Sequence, residues 1–111
     1  MARISVIEDQ SNVGQHPDID SATGKKVVLA GAAKTVTGFT SGLVYIDNTT
    51  NGTLWIRWDG SAAAPVADGS DLACPSFPLR DGASFWFPTT AAGTVSLYGT
   101  GTVFLMGAKA A

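Results

Sequence analysis

No stretch of this chain carries apolar residues at sustained three- and four-residue spacing with capping signals at both ends, so the sequence leaves almost no room for helices. In their place stand short apolar runs rich in β-branched and aromatic residues, interrupted by Gly, Asn, Asp, Ser and Pro. That punctuation specifies many short strands. The clearest run, Thr53-Leu54-Trp55-Ile56-Arg57-Trp58, puts Leu54, Ile56 and Trp58 on one face and Trp55 and Arg57 on the other. Asn51-Gly52 just before it is a favoured hairpin dipeptide. It follows a second apolar run, Gly42-Leu43-Val44-Tyr45-Ile46-Asp47.

Further runs are Val27-Val28-Leu29-Ala30, Lys34-Thr35-Val36-Thr37, Ser84-Phe85-Trp86-Phe87, Thr94-Val95-Ser96-Leu97-Tyr98 and Thr102-Val103-Phe104-Leu105-Met106. The last three read as a ladder of hairpin-like connections. Pro75 and Pro78 make the stretch from Leu72 to Leu79 an irregular edge segment at best. About eight short antiparallel strands result, spaced as a sandwich or barrel requires. The expected fold is therefore an all-β sandwich, jelly-roll-like, preceded by a loop-rich N-terminal arm. Two packed sheets would bury Leu43, Tyr45, Leu54, Ile56, Trp58, Phe85, Phe87, Val95, Leu97, Val103 and Leu105. The runs Leu43–Ile46 and Val103–Met106 are apolar on both faces, which leaves their inward face open. Strands of that kind are either central or covered by a partner.

A chain of 111 residues suits one domain. Residues 26–111 are expected to form it, and residues 1–25 an arm or extended segment. The arm holds an apolar run, Ile4-Ser5-Val6-Ile7, and a polar stretch from Asp9 to Gly24. Charged residues make up only 14% of the chain, against about 25% in ordinary domains. So sparse a charge defends a surface poorly against association. The seven basic residues are scattered and offer no stripe for a phosphate backbone, which argues against nucleic-acid binding. Met1 to Ser5 lacks the apolar run of a signal peptide, and no stretch is apolar enough to span a bilayer. The expectation is synthesis in a cytoplasm, without secretion and without a membrane partner. The single Cys74 excludes an intrachain disulfide and reads as a buried, inert small hydrophobe.

Catalysis needs a base, a nucleophile or a metal placed together. The only histidine, His16, sits in the polar N-terminal stretch and reads as a loop residue. Asp18 and Asp20 alternate as calcium ligands do, but the glycine and distal glutamate of a calcium loop are missing. A solvated acidic loop is the simpler reading. No enzyme, cofactor or metal site is therefore expected. Trp55 and Trp86 lie on the faces of their strands opposite the expected core, with Arg57 beside Trp55. Aromatic and arginine side chains in that position suit a subunit interface. A loop lying over a tryptophan would explain it equally. The alternative function is a carbohydrate-binding module with Trp55, Trp86 and Tyr98 as platforms. Ile4, Val6 and Ile7 suit addition of a strand to a neighbour's sheet edge.

From about Gly42 to Lys109, the order of signals resembles the small jelly-roll decoration and accessory proteins of tailed-bacteriophage virions. A strand ending in Asp47-Asn48-Thr49-Thr50 leads through Asn51-Gly52 into Thr53–Gly60. A loop follows, then Pro78-Leu79-Arg80-Asp81-Gly82-Ala83-Ser84-Phe85-Trp86-Phe87, then Gly93-Thr94-Val95-Ser96-Leu97-Tyr98-Gly99 and the last strand. The resemblance covers about two-thirds of the chain. It implies a structural protein of the virion, foremost a capsid decoration (cement) protein that stabilises the head, or else a connector or tail component. The implied partners are copies of itself, as a homotrimer or ring, and the major capsid protein or other virion proteins.

Overall fold

The computed structural model of the chain describes residues 18–109. Eight strands are present among the described residues: β1 (Lys25–Ala30), β2 (Lys34–Val36), β3 (Leu43–Asn48), β4 (Leu54–Arg57), β5 (Phe77–Leu79), β6 (Ser84–Pro88), β7 (Val95–Tyr98) and β8 (Thr100–Gly107). They form two antiparallel four-stranded sheets, β1-β8-β3-β6 and β2-β7-β4-β5. The all-β sandwich read from the sequence is thus the observed architecture. Among the described residues the one helical element is a single 3-10 turn, Ser21–Thr23.

The pairing is nested. Strands β1 to β4 pair with β8 to β5 in reverse order, β1 with β8, β2 with β7, β3 with β6 and β4 with β5. Additional pairs, β3 with β8 and β4 with β7, complete the two sheets. The chain therefore changes sheet at every connection except β4 to β5. This overturns two expectations. Asn51-Gly52 does not close a hairpin, because β3 and β4 belong to different sheets. Asn51 has φ +64° whereas Gly52 does not share the positive φ, so the turn lacks the geometry of a tight two-residue hairpin. The final three strands do not form a ladder either; β6 and β8 lie in one sheet, both beside β3, and β7 lies in the other. Turn residues reverse the chain in either case, and only the distant partners decide which sheet it enters.

The core lies between the sheets. Val27, Leu29, Val44, Ile46, Phe87, Val103 and Leu105 come from the first sheet, and Val36, Leu54, Ile56, Leu79, Val95 and Leu97 from the second. Strand β3 resolves its ambiguity toward Val44 and Ile46, both fully buried, and turns Leu43 and Tyr45 outward. Trp58 is half-buried against the core, as expected in direction if not in depth. Phe85 is a clear departure: it shares the inward face with Phe87 yet is 61% exposed. Alternation gives a side chain its side, but β6 is an edge strand and the opposite sheet does not reach over Phe85.

Residues before β1 are built into the fold as far back as Asp18. Ile19 bridges to Ala108, the Asp20 amide donates to the Gly107 carbonyl at 2.8 Å, and the Lys109 amide donates to the Asp18 carbonyl at 2.8 Å. Asp20 caps the 3-10 turn by accepting from the Ala22 amide at 3.1 Å. Thr23 is buried, and its hydroxyl accepts from the Gly107 amide at 2.8 Å. Asp18 and Asp20 thus serve the chain entry to β1. The folded unit includes the last part of the segment assigned to the arm. Ile4, Val6, Ile7 and His16 lie outside the described residues.

Candidate association and binding surfaces

Three surfaces carry apolar or aromatic groups that the core does not absorb. The first is the outer face of the β1-β8-β3-β6 sheet. Alternation sends Lys26 and Val28 of β1, Phe104 and Met106 of β8, Leu43, Tyr45 and Asp47 of β3, and Ser84 and Trp86 of β6 to this side. Val28 is 60% exposed and Phe104 45%. Tyr45 packs its ring on Trp86, with centroids 5.2 Å apart, and its hydroxyl bonds to the Ser84 hydroxyl at 2.5 Å. The register aligns Lys26, Phe104, Asp47 and Ser84 in one row across all four strands. In that row a cation and an anion flank a phenyl ring, and neither has an ion-pair partner among the described residues.

The second surface is the rim where the edge strands β5 and β6 approach each other. Phe87 is buried there, and the rings of Phe77, Phe85 and Trp58 surround it at 5.4, 5.6 and 5.8 Å. Phe77 and Phe85 remain largely exposed, so the sandwich is open at this side.

The third is the outer face of the β2-β7-β4-β5 sheet. Trp55 stands there between its cross-strand neighbours Tyr98 and Pro78. The long loop after β4 lies over part of this face. Two serine hydroxyls hold it: Ser96 Oγ accepts from the Ala63 amide at 2.9 Å, and the buried Ser76 Oγ accepts from the Ala64 amide at 3.1 Å. Beyond that anchor, the loop residues Val66 to Cys74 and Trp55 bound an open recess.

The residues singled out from the sequence do not form one surface. Trp86 is half-buried on the first sheet's outer face, and Trp55 is half-buried on the second sheet's outer face, on the opposite side of the molecule. A platform combining Trp55, Trp86 and Tyr98 is thereby excluded; only Trp55 and Tyr98 are neighbours. Arg57 is engaged internally. Its Nε and Nη2 donate to Asp59 Oδ1 and Oδ2 at 2.7 and 2.9 Å, a two-pronged pair on the surface. Cys74 is exposed, not buried, and its thiol donates to the Ser76 carbonyl at 3.2 Å. The proline-broken segment around it runs over the surface, where the core does not reach. Phe104, Val28 and Phe77 were not singled out. The signal for the first two was present, since β1 and β8 are apolar on both faces.

The Arg57–Asp59 pair has a pH signature. The hydrogen bond from Arg57, and next the Ser61 amide at 3.0 Å, hold the Asp59 carboxyl down at about 2, below its ordinary 3.8. A folded value below the unfolded one means that this stabilisation is complete above about pH 4 and is lost as the pH falls toward 2. The pair is solvent-exposed, so the effect is small. The stability difference between the wild type and Asp59→Asn should shrink through this window in acid-range thermal unfolding. A difference that stays constant would show that the pair contributes nothing.

No protein-family model, curated protein or solved structure matches the chain.

Proposed function

We propose that this protein is a structural assembly subunit of the capsid-decoration type, acting by self-association through the outer face of the β1-β8-β3-β6 sheet and by attachment to the shell of a virion. The nested strand order supports reading the sandwich as a jelly roll, in line with the resemblance from Gly42 to Lys109. The observation that carries the association is the row Lys26–Phe104–Asp47. Two such sheets facing each other about a two-fold axis along β8 would stack Phe104 on its equivalent. The same operation would set each Lys26 opposite the partner's Asp47. A self-complementary patch is what an isologous interface requires. Val28, Met106, Tyr45 and Trp86 around the row supply apolar area whose burial drives association.

The resemblance implies a trimer or ring, whereas the row suits a two-fold pairing. Closed shells of cubic symmetry contain two-fold axes, so a self-pairing subunit has positions to occupy on them. Repetition over the shell then turns a weak contact into tight attachment.

The test is a charge exchange. Lys26→Glu alone sets two acidic groups against each other, and Asp47→Lys alone sets two lysines against each other. Each should weaken self-association about tenfold, equivalent to roughly 1.4 kcal/mol, in sedimentation equilibrium. Mixing the two variants, or combining both changes in one chain, restores the pairing and should recover the affinity. Equal weakening in the mixture and in the double variant would contradict this geometry.

A further inference from the structure

We propose that the recess at Trp55 is a saccharide-binding site, independent of the association face on the other side of the sandwich. Two neighbouring hollows of about 310 and 330 Å3 share Trp55, Val66 and Asp68 in their walls. Their size is at the low end of small-molecule sites. Asp71 and Leu72 line one part and Arg80 the other.

The chemistry of the lining selects the ligand. The half-buried indole of Trp55 offers a flat apolar wall, with Val66 and Leu72 extending it. Asp68, Asp71 and Arg80 offer acceptors and donors. None of these three side chains, nor the Trp55 indole N–H, is engaged in a hydrogen bond or ion pair among the described residues; Arg57 and Asp59 on the same sheet are by contrast paired with each other. An apolar ligand would leave these polar groups unused. An anion would meet two carboxylates, and a cation would meet Arg80. A neutral polyol with one face of C–H groups uses the whole lining: its ring stacks on Trp55, its hydroxyls donate to the carboxylates, and they accept from the guanidinium. A sugar ring has that form. The serine anchors at Ala63 and Ala64 and the Cys74 thiol bond hold the base of the loop wall, which limits the ordering cost of binding.

The experiment is a titration of the 15N-labelled full chain with trisaccharides of glucose, galactose, mannose and N-acetylglucosamine. The Trp55 indole resonance is assigned with Trp55→Phe. At least one sugar should shift the Trp55 indole and the amides of residues 66–74 saturably in the millimolar range, while the Trp86 indole stays still. Asp68→Ala and Arg80→Ala, both at exposed positions, should each weaken that binding about fivefold, the loss of one hydrogen bond. The proposal is overturned if no sugar moves the Trp55 indole, if the shifts centre on Trp86, or if both variants bind as the wild type does.

Discussion

Replacing Gly93 by alanine is expected to destabilise the protein by about 3 kcal/mol or more, a large part of the 5–15 kcal/mol typical of a domain. Gly93 has φ +75°, and a Cβ there would stand 1.9 Å from the Phe39 carbonyl oxygen and 3.0 Å from its carbon. The atom in the way is backbone, so no rotamer change relieves it. The Phe39 peptide is held from its other end too, since its amide donates to the Gly93 carbonyl at 3.2 Å. Moving it would drag the Phe39 ring, only 3% exposed, out of the core. Overpacking of this kind costs about 1–3 kcal/mol, and the left-handed backbone adds about 1–2 kcal/mol for any residue with a Cβ. Gly82→Ala is the control, because Gly82 has the same φ of +75° but open space around it. Urea denaturation followed by tryptophan fluorescence should separate the two variants by at least about 1–2 kcal/mol. Equal losses would mean that the Phe39 contact yields without cost.

The second large effect is expected at Asn48, a fully buried polar residue at the end of β3. Its side-chain amide donates to the carbonyls of Gly52 at 2.8 Å, Leu79 at 2.8 Å and Arg80 at 3.0 Å. Its oxygen accepts from the Thr50 amide at 3.0 Å and the Thr50 hydroxyl at 2.6 Å. Leu79 belongs to β5, so this one side chain joins the two sheets and shapes the β3–β4 crossover together. Asn48→Ala takes the amide donor from the buried Leu79 carbonyl, at about 1–3 kcal/mol, and from the part-buried Gly52 and Arg80 carbonyls, at less, for a total of about 3 kcal/mol. Asn48→Asp keeps the shape but turns the donor edge into an acceptor facing three carbonyl oxygens. It should therefore be the worse of the two at neutral pH. Burial raises the folded-state pKa of the introduced carboxyl, so its penalty is smallest in acid and grows as the pH rises. Chemical denaturation of both variants from acid to neutral pH measures this. An Asn48→Asp variant as stable as the wild type at neutral pH would show that the amide donors are not needed.

Strand positions were legible because alternation and turn residues are local signals. Leu54, Ile56, Phe87, Val95, Leu97, Val103 and Leu105 are buried where the period-two pattern puts them. What the pattern could not carry was long-range. Leu43-Val44-Tyr45-Ile46 is apolar on both faces, and only the pairing of β3 between β8 and β6 decides that Val44 and Ile46 point inward. Phe39 lies in a loop, outside any alternating run, and joins the core with its ring against Gly107. Asn48 was readable as a turn residue, but not as a bridge to a carbonyl 31 residues away. The outward tryptophans were correctly placed off the core, yet assigning them to one interface assumed a shared side. The inter-sheet crossovers put Trp55 and Trp86 on opposite outer faces.

Self-association is the central claim, and the solution mass of the purified wild-type chain, taken by light scattering over a wide concentration range, tests it most directly. Pairing through the Phe104 face should give a mass that rises from monomer to twice the monomer as concentration increases. A mass that stays at 11.4 kDa at the highest concentrations reached would contradict association through the Phe104 face.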